Sequence, residues 1–308
     1  MSTPQLLIEP QLANQCEDAE ALHIWRQGQV CAQLYPDQDI VFRPVPNGGV
    51  AIRTLPALTG KLNRAVGCGK DGELGNSTLM GLESLFSTIG LTPEIHLSPF
   101  AKPSTLQDLI EHGYEEQCVL STYWCPLENS ADEPTSIAIS ETAAVETRLV
   151  AAHETEDFIE ASIAGFQSNG RSRELLGALA RIATRRTDTQ LFVALVDNEI
   201  AGSAALASIE TLEGSVAHLY LDSTLPGFRG QGVQKALIQA RLHEAQRRGL
   251  SLATTITRVG DGSARNVERA GLRIAYATTV LTRPELREGD DVRSTSRAPE
   301  EEEERVKE

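Results

Sequence analysis

The chain has 308 residues, enough for about two domains, and 28 Lys and Arg against 43 Asp and Glu leave it a formal charge of −15. A chain this acidic lacks the basic face that nucleic-acid phosphates require, and no apolar run reaches the ~18 residues of a membrane span. Hydrophobic residues at 41% and charged residues at 23% suffice for ordinary globular cores.

Residues 1–10 have neither a basic start nor a long apolar stretch, so they do not read as a secretory signal. The five cysteines (Cys16, Cys31, Cys68, Cys118, Cys125) are an odd set without a CxxC pair. They fit reduced, buried thiols of a cytoplasmic protein better than a disulfide framework. Neither they nor the histidines fall at metal-ligand spacing, so no metal site is expected.

In the first half, 58–68 (LTGKLNRAVGC) reads as a turn and an apolar strand. Residues 79–89 set Leu79, Leu82, Leu85, Phe86 and Ile89 on one helix face. EIHLSPF at 94–100 reads as a strand, STLQDLIEH at 104–112 as a helix capped by Ser104 and stopped by Gly113, and 114–123 as a last strand. Residues 126–144, without an aromatic and rich in Ser, Thr, Glu and Ala, read as an exposed linker between a domain at 1–125 and a second at 145–283.

The second domain opens with a short strand at 145–151 and helices at 154–166 and 173–186. LFVALV (191–196), a turn at Asp197-Asn198-Glu199 and a returning strand at 200–210 make a hairpin. A strand at 216–224, a helix at 231–248 stopped by Gly249, a strand at 252–259, a short helix at 263–270 and a strand at 273–281 follow. That alternation predicts an α/β fold with a mixed sheet. From residue 284 on, ten acids and five bases with almost nothing to bury read as a disordered acidic tail.

The chemistry concentrates in LYLDSTLPGFRGQGVQKALIQA, 219–240. A strand ends near Thr224, Pro226 halts it, and Arg229-Gly230-Gln231-Gly232 opens the long helix. Glycines there let main-chain amides approach a ligand, and the first turn of a helix gathers phosphate oxygens. The same pattern also suits a plain tight turn. GxxxxGK[ST] and GxGxxG are both absent, which removes the P-loop and the dinucleotide fingerprint.

With Pro226 three residues upstream, Arg229-Gly230-Gln231-Gly232-Val233-Gln234 resembles the Q/R-x-x-G-x-G/A signature of the GNAT acetyltransferase superfamily. The run from Ser263 through Asn266 to Gly271 is similar to the helix after the family's fifth strand. The resemblance implies two GNAT-like domains, each a mixed, mostly antiparallel sheet flanked by helices. The first would be a degenerate copy that walls one side of the substrate cleft, as sites often form between domains. Its Gly67-Cys68-Gly69-Lys70-Asp71-Gly72 loop stands open as an anion site or a plain turn.

By the same resemblance, amides from Arg229 through Gly230, Gln231, Gly232 and Val233 to Gln234 hold the pyrophosphate of acetyl-CoA. Asp222, Ser223 and Thr224 pair their backbone with its pantetheine arm, and Asn266 hydrogen-bonds the cofactor. Gln234 departs from the family's Gly or Ala, and Val267 stands where many members carry a tyrosine acid.

The implied reaction is direct N-acetylation of a primary amine on a small molecule or peptide, the alternative being an inactive acyl-CoA-binding regulatory or scaffold protein. His218, on the strand that carries Thr224, is either a general base or a strand histidine capped by the backbone. Tyr276 is either the acid or a packed strand aromatic. Asp222 either orients an amine or is a solvated strand-end carboxylate, depending on whether a bulge intervenes.

Overall fold

A computed structural model describes residues 7–127, 145–167 and 170–284. The linker at 126–144 and the acidic tail from 284 fall outside the described residues but for their first positions.

The first half contributes α1 (Pro10–Leu34), β1 (Val41–Pro44), β2 (Val50–Arg53), β3 (Arg64–Cys68), α2 (Asn76–Ser87), β4 (Glu94–Leu97), α3 (Pro103–Glu111) and β5 (Glu115–Pro126). The second contributes β6 (Glu146–Leu149), α4 (Thr155–Gln167), α5 (Arg173–Arg185), β7 (Thr189–Val196), β8 (Glu199–Thr211) and β9 (Gly214–Thr224). It ends with α6 (Val233–Arg247), β10 (Leu252–Arg258), α7 (Gly262–Arg269) and β11 (Arg273–Thr282).

Local chemistry accounts for many of the boundaries. Pro10 starts α1, where its missing N–H costs nothing. Ser172 caps α5 by accepting from the Leu175 amide at 3.1 Å. Asp197 and Asn198, with φ of 52° and 65°, form the hairpin turn whose twist suits β7 and β8. Helix α3 differs from expectation: it begins at Pro103 after Lys102, with no side-chain cap, so Ser104 lies inside it.

The described strands form one eleven-stranded sheet, ordered β1-β2-β3-β4-β11-β5-β10-β9-β8-β7-β6. The order is pseudo-symmetric about its middle. On either side of centre a parallel pair (β3 with β4, β9 with β10) meets a strand from the other half. The last strands have changed places: β5 pairs with β10, and β11 pairs with β4.

The two halves therefore share their cores. Tyr123 and Leu127 of the first half pack among Leu219, Leu237 and Val267. Leu281 of the second packs with Phe86, Ile95 and Tyr114. Each such side chain contributes about 1.5–3 kcal/mol on burial, so neither half keeps a complete core alone.

Helices α1, α4 and α5 cover one face of the sheet, and α2, α3, α6 and α7 the other. Helix α1 crosses the face of both halves, touching Ala207, Val216 and Leu252 as well as Ile52 and Val66.

Candidate active site

Strands β9 and β10 pair only through Val216, Ala217 and His218, the last opposite Thr254. β9 then runs on to Thr224 and β10 to Arg258, so they part into a V whose apex is the His218–Thr254 pair. Past the apex the Thr255 hydroxyl still reaches the Leu219 carbonyl at 3.0 Å.

A bulge shapes the β9 side of the V. Against β8, Leu221 and Asp222 together oppose the single residue Ala204. Leu221 has φ +57°, a left-handed conformation that costs a branched residue about 1–2 kcal/mol. Arg241 of α6 holds it in place. Its guanidinium, fully buried, donates to both Asp222 oxygens and, at 3.2 Å, to the Ala205 carbonyl.

The bulge settles which face each side chain takes. Tyr220 stays with His218, their rings 6.2 Å apart, whereas Asp222 turns to the α6 face. Both sequence readings of the Asp222 side chain are corrected: it neither orients an amine nor is a solvated strand end, because Arg241 holds it. Ser223 is buried, its Oγ 2.8 Å from Ser203 Oγ. A Cβ on Gly165 of α4 would fall 2.6 Å from Ser223, so α4 packs tightly against the end of β9. Thr224 ends the strand opposite Gly202.

Beyond the strand, Pro226–Phe228 makes one 3-10 turn, and Arg229 donates to the Gly165 carbonyl at 3.2 Å. Gly230 and Gly232 sit at φ +80° and +85°, and a Cβ on either would meet nothing within 4 Å. Helix α6 starts at Val233 without a side-chain cap, and among the described residues the amides of 230–235 donate to no acceptor. Uncapped amides carrying the partial positive charge of the helix dipole form a cradle for an anion. The space beside Gly230 and Gly232 is open, so these amides are not screened by side chains there.

Asn266, expected to hydrogen-bond the cofactor, bonds to the protein itself. Gln234 Nε2 donates to Ser263 Oγ at 2.8 Å, and Asn266 Nδ2 donates to Gln234 Oε1 at 2.7 Å, tying α6 to α7. Gln231 Nε2 donates to the Gly227 carbonyl. Val267 is a core residue.

His218 is buried beneath α1. Its Nδ1 lies 3.2 Å from Thr254 Oγ1, its Nε2 3.5 Å from Glu20, and its ring centroid 4.4 Å from that of His23. Burial pulls its pKa below the usual value while Glu20 pulls the other way. Tyr276 lies under α1 among Cys16, Val216 and Leu252. Burial, with Glu17 next to it, holds its phenol well above 10 and so protonated.

The first-half loop is a turn fixed from within, Lys70 pairing with Asp18 of α1. Glu17, Glu20 and His23, all on α1, were missed from the sequence. Their neighbours Ala13, Cys16 and Ala19 are small, so no apolar stripe announced the helix.

Residues 153–271 match the profile of the Acetyltransferase (GNAT) family. A GCN5-related N-acetyltransferase from Kribbella flavida superposes with a TM-score of 0.57 at 17% identity, over 86% of this chain and 95% of that one. One from Sphaerobacter thermophilus gives 0.52 at 17%, over 80% and 77%. A functionally unknown conserved protein from Staphylococcus epidermidis gives 0.52 at 13%, over 80% and 96%. No curated protein matches the chain in sequence. These likenesses extend over both halves and agree with a tandem fold.

Proposed function

We propose, from the match of residues 153–271 to the acetyltransferase (GNAT) family profile, that the protein is an acetyl-CoA-dependent N-acetyltransferase acting on a primary amine. The observation that carries this reading is the run of unsatisfied amides at 230–235 beside the open edge of β9. Acetyl-CoA, when bound, supplies an acetyl group activated as a thioester.

The chain's own residues do the rest. Amides 230–235 and the start of α6 bind phosphate oxygens, and Gly230 and Gly232 keep that space clear of side chains. Backbone groups of 219–224 on the β10 side offer partners to an extended chain lying in the V. His218 acts as a positioning residue at the apex, since both ring nitrogens already face partners, Thr254 and Glu20. Burial at the apex excludes water, which strengthens every polar contact made there.

Calorimetric titration with acetyl-CoA, followed by thiol release with a panel of amines, tests the proposal. Binding and turnover are expected; absence of binding refutes it. Burial of Val267, where a tyrosine acid is common, favours one second reading, a binding protein without catalysis. Binding without turnover on any amine would select it.

A further inference from the structure

Helix α1 lays two carboxylates, one turn apart, against the middle of the sheet. Glu17 is 7% exposed, and its Oε2 has no hydrogen-bond partner. Glu20 Oε2 is likewise buried without a hydrogen bond, with His218 Nε2 3.5 Å away. Arg64 pairs with Glu20 Oε1 at 3.5 Å and Lys70 with Asp18, so among the described residues no cation is paired with Glu17. A buried polar atom left unpaired costs about 1–3 kcal/mol, and more when charged, which a structural carboxylate has no reason to incur.

Both carboxylates line a narrow cavity under α1, with Gly67, His96, Thr122 and Ile256 among its other walls. Its closed part has room for roughly one or two water-sized groups. An ammonium head has that size, and a carboxylate is its natural partner. Ile256 is the next residue after Thr254 on the α1 face of β10, so the cavity abuts the V just past its apex.

We propose that this cavity, built largely by the first half of the chain, is the acceptor site: it receives the ammonium head of a small primary amine on Glu17 and Glu20, and Glu17 takes the amine's proton. The assignment rests on the transferase reading above. The proton count closes. The ammonium gives one proton to the Glu17 carboxylate, which passes it to solvent. The freed nitrogen lone pair forms the C–N bond as the thioester C–S bond breaks. A second nitrogen proton leaves with the sulfur as free thiol, and the third stays on the amide.

Glu17 suits that task. Burial raises its pKa to about 7, against the lowering pull of the Ser98 and Tyr276 hydroxyls and of Lys70. Facing it are Cys16 and Glu20 of α1, Cys68 of β3, Lys70 beyond β3, Ser98 beyond β4 and Tyr276 of β11. Arg64 beside Glu20, with Lys61 close by, repels a second positive charge on the ligand. A monoamine is therefore preferred to a polyamine.

The test is calorimetric titration of the full chain with ethylamine, ethanolamine and glycine, and with spermidine, in the absence of acetyl-CoA. Wild type, Glu17→Gln and Glu20→Gln are compared, each also titrated with acetyl-CoA. At least one small monoamine is expected to bind the wild type and to lose tenfold or more in affinity in each variant, with acetyl-CoA affinity kept within twofold. At pH 6 the wild type should release a proton to buffer on binding, and Glu17→Gln should not. Unchanged amine affinity in both variants overturns the proposal. So does spermidine binding as tightly as the monoamines, or a wild type that binds acetyl-CoA but none of the amines, which would mean that the cavity holds only water. A chain that takes a monoamine in the expected way but no acetyl-CoA would sink the transferase reading and leave this site standing.

Discussion

Replacing Gly232 separates two effects that the anion cradle combines. At φ +85°, any L-residue there costs the fold about 1–2 kcal/mol, a fall in Tm of roughly 2–8 °C for a chain this large. Nothing within 4 Å blocks the new Cβ, so no further steric penalty is expected. Gly232→Ala and Gly232→Asp should thus unfold at similar temperatures. Toward acetyl-CoA they should differ. A carboxylate about 5 Å from one phosphate charge, at an effective dielectric near 20, costs about 3 kcal/mol, more than a hundredfold in Kd. Calorimetry on both variants, with thermal unfolding as the control, measures the difference. Affinity for Gly232→Asp within threefold of Gly232→Ala would refute the idea that phosphate sits against this turn.

Arg241→Met should destabilise the chain by about 3–4 kcal/mol in urea unfolding, because it strands the Asp222 carboxylate and the Ala205 carbonyl. A loss under 1 kcal/mol would mean that the bulge holds without it. Glu17→Gln should stabilise the protein at alkaline pH. With Glu17 near 7 folded and about 4.5 unfolded, the native state binds the extra proton between those values, so wild-type stability falls as pH rises through them. The variant's advantage should reach about 3 kcal/mol at pH 9 and vanish near pH 4; equal stability at both pH values would count against a buried, unpaired carboxylate. His218→Ala should lower kcat while His218→Gln restores most of it with the pH profile intact; loss of the acid limb in both would make His218 the base. Cutting the chain at a protease site engineered between 128 and 144 should leave the pieces together on size exclusion, since β5 and β11 are exchanged. Separation under native conditions would contradict that topology.

In the second half, nearly every element was legible because its signals are local. Apolar spacing marked α4 and α5, Asp197-Asn198 marked a hairpin, Gly249 marked the end of α6, and the Gly230–Gly232 turn marked its start. The first half yielded its strand–helix–strand–helix–strand run but not α1 or the β1–β2 hairpin before it. Helix α1 buries Gln15, Glu17, His23 and Gln27, and polar residues on a buried face erase the periodicity by which a helix is recognised.

The sequence by itself determined the elements of the second half and the glycine turn before α6, since these depend on residues within a few positions of one another. Three things were decided only by the tertiary structure. The merging of two expected sheets into one, through exchange of β5 and β11, depends on pairing between distant strands, to which a period-two pattern is indifferent. The orientation of Asp222 turned on a single-residue bulge held by Arg241 from another element. The meeting of Glu17 and Glu20 with His218, some two hundred positions further along the chain, required α1 to lie across both halves of the sheet.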